Sequence, residues 1–143
     1  MAKTLTDNEI RTLIEKALDM RSFSYTPYSH FNVGAALLTD GGKIYGGCNI
    51  ESISFSPTNC AERTAIFKAV SEGERYFKAI AICGAYADKE PTEPCPPCGV
   101  CRQVMLEFCE PDFKVILAVS PDNYQIYDLN EIIPLSFTLL NKD

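Results

Sequence analysis

Residues 77–86 read FKAIAICGAY, an almost unbroken apolar run that decides the fold class. A run of this length, bounded by turn residues, is typical of a buried strand and is far shorter than the roughly 20 residues of a membrane span. Helical patterns stand on both sides of it, at residues 60–72 (CAERTAIFKAVSE) and from about residue 98 to residue 109. A further apolar strand, KVILAVS, follows at 114–120. This alternation of helices and strands predicts an α/β domain.

The N-terminal half adds a helix and a hairpin to this core. Thr6 and Glu9 have the spacing of a capping box, and the apolar stripe after them predicts a first helix near residues 7–21. Residues 31–39 (FNVGAALLT) and 43–49 (KIYGGCN) are expected to be strands joined by an Asp-Gly-Gly turn. Thr58 or Asn59 is expected to cap the second helix, which Gly73 ends.

The C-terminal part is expected to contain a short strand at 124–129 (YQIYDL) and a brief helical turn before IIPLSF at 132–137. The connections through the second and third helices favour parallel pairing of the strands that they join. In such sheets the chemistry lies outside the carboxyl ends of the strands, where the helices begin. No internal repeat or linker is visible, so we expect residues 1–143 to form one domain.

Composition excludes several classes of function. The net charge is −6, from 13 basic and 19 acidic side chains, and no cluster of Lys or Arg forms a basic face, so nucleic acid is not an expected partner. The N-terminus does not resemble a signal peptide and no apolar run is long enough for a membrane span, so we expect a soluble cytoplasmic protein with no membrane partner. The single histidine, His30, excludes every site that needs two imidazoles.

Seven cysteines in such a chain point to metal binding or catalysis before disulfides. Residues 93–104 (EPCPPCGVCRQV) hold Cys95, Cys98 and Cys101. These could be a redox pair, part of an iron–sulfur site, a closed zinc site or an open catalytic metal site. If the second and third helices begin side by side, Cys60, Cys98 and Cys101 form a three-thiolate cup that suits zinc with one open position.

Glu62 stands two positions after Cys60, close to the mouth of that cup. A carboxylate there can transfer protons for a metal-activated water molecule. The alternative is structural, because Asn59 and Glu62 also have the spacing of a capping-box pair. The local sequence leaves both interpretations open.

Two motifs, NCAER at 59–63 and PCGVCRQ at 97–103, together resemble the cytidine deaminases, specifically the small homotetrameric form with three cysteine ligands to zinc. The resemblance extends through TPYSHFNVGAALLT, GGCNIES and IIPLSF over nearly the whole chain. It implies a three-layer α/β/α cytidine deaminase-like fold with a mixed five-stranded sheet. It also implies one Zn²⁺ per subunit, held by Cys60, Cys98 and Cys101, with Cys95 as a spare.

The resemblance implies hydrolytic deamination of cytidine and 2′-deoxycytidine to uridine and 2′-deoxyuridine plus ammonia, a reaction of pyrimidine salvage. Glu62 would be the catalytic proton shuttle. Arg63 would donate to the ligand sulfurs and offset their negative charge, although an arginine on a helix is ordinarily a solvated surface residue. The implied partners are a nucleoside substrate and other subunits of a homotetramer.

The same resemblance implies the contacts to the substrate. Asn49 and Glu51 would hydrogen-bond a ribose hydroxyl, and the Ala61 backbone N–H would bind the base carbonyl. Phe31 and Phe137 would contact the pyrimidine, the latter in a neighbouring subunit's site. Without the resemblance, Asn49 and Glu51 are equally explained by turn chemistry, and the two phenylalanines by packing in the core.

Two departures from the family pattern leave questions open. Phe55 stands where tyrosine is common, which puts a hydroxyl contact to the far end of the sugar in doubt. Pro96 replaces a frequent small polar residue, although its carbonyl can still accept from the base amine. The alternatives to a cytidine deaminase are a blasticidin-type deaminase, which lacks the Asn-Ile-Glu element at 49–51, and a zinc-stabilised binding module with Cys95 as a fourth ligand.

Overall fold

The structure is a computed structural model that describes residues 4–139. Its helices and strands match the predicted ones to within a residue or two at each end. In chain order they are α1 (Asp7–Met20), β1 (Phe31–Thr39), β2 (Ile44–Cys48), α2 (Ala61–Ser71), β3 (Phe77–Tyr86), α3 (Gly99–Phe108), β4 (Lys114–Ser120), β5 (Asn123–Asp128) and α4 (Leu129–Ile132), with a 3₁₀ turn at Arg21–Phe23. Within residues 4–139, none of the helices has the length and apolar character needed to cross a membrane.

The strands form one five-stranded mixed sheet in the order β2-β1-β3-β4-β5. Strands β3 and β4 are parallel, and the other neighbouring pairs are antiparallel. The apolar run at β3 is therefore the central strand, as its burial on both faces requires.

The predicted parallel pairing is correct for β3 and β4 but wrong for β2 and β3. Those two strands run in the same direction, yet β1 lies between them and pairs antiparallel with both. One edge of β1 pairs with β2 in the hairpin. The other edge of β1 pairs along its length with β3. The crossover through α2 consequently passes over one strand.

Helices cover both faces of the sheet, which confirms the expected three-layer arrangement. On one face, Leu13, Ile14 and Ala17 of α1 are fully buried against small residues such as Ala79 and Ala81 of β3. On the other face, Ile66 of α2 and Met105 of α3 pack against larger residues of the strands, among them Leu37, Ile80 and Ile82. Each fully buried aliphatic side chain contributes about 1.5–3 kcal/mol through the removal of apolar area from water.

Two glycines let the helices approach the sheet closely. A Cβ atom at Gly34 of β1 would lie 1.9 Å from the Ala17 carbonyl oxygen of α1, and one at Gly47 of β2 would lie 2.5 Å from the Ala61 carbonyl oxygen of α2. Any larger residue would push the helix backbone away. Gly47 thus brings the first turn of α2 directly onto the carboxyl end of β2.

The helix starts differ in how they are capped. At α1 the predicted capping box is confirmed, since Thr6 accepts from the Glu9 N–H and the Glu9 carboxylate accepts from the Thr6 N–H. At α2 the prediction of Thr58 or Asn59 as the cap is wrong, because the N-cap residue is Cys60 and it makes no side-chain cap bond. Asn59 instead pairs through its backbone with Ile50 and donates through its side chain to Thr64.

Candidate active site

Three thiols converge where α2 and α3 begin. Cys60 is the N-cap of α2, Cys98 is the N-cap of α3, and Cys101 lies in the first turn of α3. Their sulfur atoms all lie within 4.8 Å of one another, and the Cys60 and Cys98 sulfurs are 3.8 Å apart. The predicted cup is therefore present, with Cys101 fully buried and Cys98 exposed.

The sheet explains why these two helix starts adjoin. Gly34 of β1 pairs with Cys48 of β2 on one side and with Cys83 of β3 on the other, so the carboxyl ends of both strands reach the same edge of the sheet. The chain leaving β2 is then fixed by a backbone bridge, in which Ile50 and Asn59 exchange N–H···O bonds of 3.0 and 2.8 Å. Cys60 follows that bridge directly.

The thiols polarise one another. A hydrogen bond with Cys101 is the main cause that lowers the pKa of Cys60, and the Arg63 guanidinium and Cys98 act in the same direction. The same bond, together with burial, raises the pKa of Cys101. The positive ends of the α2 and α3 helix dipoles also favour thiolate at their N-termini. The site is suited to hold negative sulfur.

The donor set fits zinc. Two sulfurs that are each about 2.3 Å from a tetrahedral zinc ion lie about 3.8 Å apart, and the Cys60 and Cys98 sulfurs have this separation. Thiolates are ligands that zinc prefers, and three protein ligands leave one position for water or substrate. Cys95 does not belong to the group of mutually close sulfurs, so the arrangement is an open three-cysteine site and not a closed four-cysteine one.

Glu62 lies on the first turn of α2 and is 4% exposed. Burial raises the pKa of Glu62 to about 7, and the nearby charge of Cys60 adds to this, against a lowering hydrogen bond with Cys101. The capping-box interpretation does not hold, because the side chain of Asn59 is bonded to Thr64. A buried carboxyl that titrates near neutral pH is typical of a proton-transfer group.

Arg63 is not a solvated surface residue. Its Nη2 atom donates to the Cys60 sulfur over 3.3 Å. Burial acts to lower the pKa of Arg63, but hydrogen bonds to Cys60 and Cys101 outweigh it and raise the pKa. Its Nε atom is buried and has no partner among the described residues. Arg63 therefore supplies a permanent positive charge beside the sulfurs.

Asn49 and Glu51 both brace the segment that leads into β1. The Asn49 side chain accepts from the Val33 N–H over 2.9 Å and donates to the Phe31 carbonyl over 2.8 Å. The Glu51 carboxylate accepts from the backbone N–H groups of Tyr28 and Ser29. Its pKa is lowered, chiefly by a hydrogen bond with the Ser29 side chain, so it is ionised at neutral pH.

The remaining residues that the sequence analysis singled out range from fully buried to largely exposed. Ala61 is the first residue of α2 and fully buried, and its N–H has no acceptor within the helix. Phe31 begins β1 and packs edge-on against Tyr86, with ring centres 5.2 Å apart. Phe137 is 70% exposed and Phe55 is 75% exposed, so neither is a core residue within the described chain.

A pocket of about 580 Å³ lies beside the cluster, and its walls include Phe31, Cys95 and Pro96. Glu62 and the three clustered thiols do not line it. The reactive groups belong to the cluster, so the cluster marks the place of the chemistry. Cys95 lines this pocket, and burial together with the charges of Glu62 and Cys60 raises the pKa of its thiol to about 11.

One residue near the site had no role in the sequence-based predictions. Arg102 folds back from α3 and donates to the carbonyl oxygens of Pro97 and Ile132. The motif PCGVCRQ contains it, but neither its spacing nor its charge identifies these backbone acceptors.

Comparisons with known proteins agree with this geometry. The model of the cytidine and deoxycytidylate deaminase zinc-binding region matches residues 7–117. A cytidine deaminase of Halalkalibacterium halodurans is 49% identical over 126 residues, which cover 88% of this chain and 92% of the relative. One of Sporosarcina psychrophila is 46% identical over 130 residues, covering 91% and 92%.

A solved structure gives the same picture. The crystal structure of cytidine deaminase from Burkholderia pseudomallei superposes with a TM-score of 0.80 at 43% identity, covering 88% of this chain and 97% of that one. A blasticidin-S deaminase of Bacillus cereus is more distant, at 33% identity over 129 residues, which cover 88% of this chain and 90% of the relative. With its three-cysteine cluster, this chain therefore belongs to the cytidine and deoxycytidylate deaminase zinc-binding family.

Proposed function

We propose that this protein is a zinc-dependent cytidine deaminase, which hydrolyses cytidine and 2′-deoxycytidine to uridine and 2′-deoxyuridine plus ammonia. The observation that carries this proposal is the convergence of the Cys60, Cys98 and Cys101 sulfurs within 4.8 Å beside the buried Glu62. Membership of the deaminase family supports the reaction type.

Cys60, Cys98 and Cys101 would hold the metal. When bound there, zinc supplies a water molecule of lowered pKa as the nucleophile at neutral pH. Three thiolates carry more negative charge than one zinc ion neutralises. Arg63, which donates to the Cys60 sulfur, and the two helix N-termini offset that excess.

Glu62 transfers the protons. Its carboxylate oxygen takes a proton from the attacking water and delivers it to the ring nitrogen next to the carbon that bears the amine. It then transfers the second proton of the same water molecule to the amine, which leaves as ammonia. Burial raises the pKa of Glu62 above that of an exposed glutamate, which favours a group that both accepts and releases protons.

Substrate recognition falls to residues at the same edge of the sheet. The N–H of Ala61, which has no acceptor within the helix, would bind the base carbonyl, and Phe31 would contact the pyrimidine ring. Asn49 and Glu51 would also contact the ribose hydroxyl, because their bonds to the backbone do not use all of their hydrogen-bonding capacity. The ionised Glu51 would repel a phosphate, so a free nucleoside is favoured over a nucleotide.

We also propose that residues 1–143 act as one domain that assembles into a homotetramer in the cytoplasm. Ile53, Phe55, Leu135 and Phe137 are each at least 70% exposed, which is consistent with burial by other subunits and with Phe137 acting in a neighbour's site. All seven cysteines are free thiols, as a reducing compartment maintains them. Sedimentation analysis of the full-length protein tests the assembly.

The direct test of the reaction is ultraviolet absorbance after mixing the purified zinc-loaded protein with cytidine. We expect a steady change towards the uridine spectrum, with release of one ammonia per turnover. Parallel samples with 2′-deoxycytidine and with blasticidin S separate the possible substrates. A flat trace with both nucleosides, obtained from folded protein that holds stoichiometric zinc, would contradict the proposal. Turnover of blasticidin S alone would reassign the substrate.

A further inference from the structure

Arg102 holds a position that the proposed function does not use. It lies one residue after Cys101, in the second turn of α3, and its side chain turns back towards the N-terminus of the helix. Nε donates to the Pro97 carbonyl oxygen over 2.8 Å, and Nη1 donates to the Ile132 carbonyl oxygen over 2.6 Å. The guanidinium is partly buried, so water competes weakly for these charge-assisted bonds.

The loop before Cys98 makes few other hydrogen bonds, although Pro91 and Pro97 are buried. Residues 87–98 contain no helix or strand, and four of the eight residues from 90 to 97 are proline, which has no N–H to donate. Within residues 4–139, the bond from Arg102 to Pro97 is the hydrogen bond that anchors the backbone of residues 90–97. Arg102 therefore supplies the hydrogen bond to a loop whose prolines lack N–H donors.

The Pro97 carbonyl that Arg102 binds lies directly before a clustered thiol. It belongs to the peptide group that joins Pro97 to Cys98, so holding it fixes the backbone from which the Cys98 side chain projects. Cys98 itself is exposed, and packing does little to orient it. The second bond, to Ile132 at the end of α4, connects this peptide to a helix whose Leu129 is fully buried in the core.

We infer that Arg102 is a positioning residue, which holds the Cys98 thiol in the metal cluster by tying the Pro97 carbonyl to α4. The inference rests on the proposed function in taking the cluster to be a zinc site. A planar guanidinium bridges two carbonyls at once, whereas a lysine ammonium on a flexible stem does not reproduce that fixed fork. Outer partners of metal ligands of this kind typically affect metal affinity by about 10- to 100-fold.

Arg102→Lys in the full-length protein is the test, and Arg75→Lys is the matched control. The Arg75 guanidinium also donates to two carbonyl oxygens, those of Val70 and Glu74, near the end of α2 and away from the cluster. Zinc affinity is measured by competition with a chromophoric chelator, and the thermal midpoint is measured on the metal-free proteins. We expect Arg102→Lys to weaken zinc binding by about 10- to 100-fold, and Arg75→Lys to leave it unchanged.

Cobalt(II) loading gives a second readout. Loss of one sulfur from the cluster lowers the sulfur-to-cobalt charge-transfer absorbance, which a general loss of stability does not mimic in protein that remains folded. Arg102→Gln, which keeps a neutral donor, serves if the lysine variant does not fold, and we expect it to show the same loss.

Three results would overturn the inference or what it rests on. Unchanged zinc affinity and cobalt absorbance in folded Arg102→Lys would overturn the inference alone. Weaker zinc binding matched by an equal effect of Arg75→Lys, or explained by a lower midpoint of the metal-free protein, would reduce Arg102 to a general structural role. Wild-type protein that binds no stoichiometric zinc would instead reject the zinc site of the proposed function.

Discussion

The two helix starts that carry the thiols are built in different ways. Before Cys60, the backbone is paired with another segment, because Ile50 and Asn59 exchange two hydrogen bonds. Before Cys98, the chain is rich in proline and is held by the side chain of Arg102. The start of α2 also depends on Gly47, because the missing side chain lets the α2 backbone pack directly against β2.

The difference shows two ways to place a cysteine at a helix N-terminus. At α2, backbone pairing and close packing fix the position, and the same turn carries Glu62 and Arg63, the proposed proton-transfer and charge-balancing residues. At α3, the Arg102 guanidinium binds the backbone just before Cys98, whose thiol is exposed. We therefore expect α2 to be sensitive to packing and α3 to be sensitive to one polar side chain.

The largest effect is expected from removing a thiol at either helix start, which tests whether Cys60 and Cys98 contribute equally to metal binding. Cys60→Ala and Cys98→Ala should each lose zinc and activity, by more than the roughly 100-fold typical of an outer partner, because each removes one of three ligands. Metal analysis after dialysis and the cytidine assay measure both losses. The control is Cys95→Ser, which should retain zinc because Cys95 lies outside the cluster. Zinc loss in that control would contradict the open three-cysteine site.

The next effect separates chemistry from metal binding on α2. Glu62→Gln should lower kcat by about 10²- to 10⁴-fold, since an amide cannot carry the transferred proton. Zinc content should stay at the wild-type level, because Glu62 is not among the clustered ligands. Steady-state kinetics with metal analysis on the same samples provide the measurement. A variant with near-normal kcat would assign the proton transfer to another group.

A smaller effect is expected at two glycines, Gly47 beside the first turn of α2 and Gly84 beside Cys95 in the loop before α3. A Cβ atom at Gly47 would lie 2.5 Å from the Ala61 carbonyl oxygen and 2.6 Å from the Ala65 nitrogen, both helix backbone. At Gly84 the nearest atom would be the Cys95 sulfur, at 2.8 Å. Gly47→Ala should therefore cost about 1–3 kcal/mol of unfolding free energy, and Gly84→Ala less, because a side chain can move aside. Denaturant titration of both metal-free variants decides the order, and a larger cost at Gly84 would contradict the contrast.

The smallest effect concerns α1, a helix start with an ordinary side-chain cap and no metal ligand. The Thr6 N–H lowers the pKa of Glu9 below 4.5, and Lys78 acts in the same direction. This stabilisation is complete above the unfolded pKa and is lost as the pH falls through the lowered folded pKa. Glu9→Gln should reduce the unfolding free energy at pH 7 by at most about 1 kcal/mol. The difference from wild type should shrink below pH 4.5, and a gap that persists at lower pH would contradict this assignment.

Local pattern predicted the helices and strands well. The capping box at Thr6 and the apolar runs of β1, β3 and β4 depend on residues close in sequence, so their spacing identifies them. The prediction failed at the Asn59 cap, because the backbone of Asn59 is paired with Ile50 and its side chain with Thr64. Propensity alone does not show which of several partners a polar side chain takes.

The sequence by itself determined the elements, the family and the three candidate zinc ligands, because motif spacing and hydrophobic period are properties of neighbouring residues. Only the tertiary structure decided that β1 lies between β2 and β3, that Asn49 braces Val33, and that Arg102 reaches Ile132, 30 residues away. These contacts depend on how distant segments pair and pack. A backbone carbonyl, moreover, looks the same in every residue of a sequence, so the position of such an acceptor is visible only once the chain is folded.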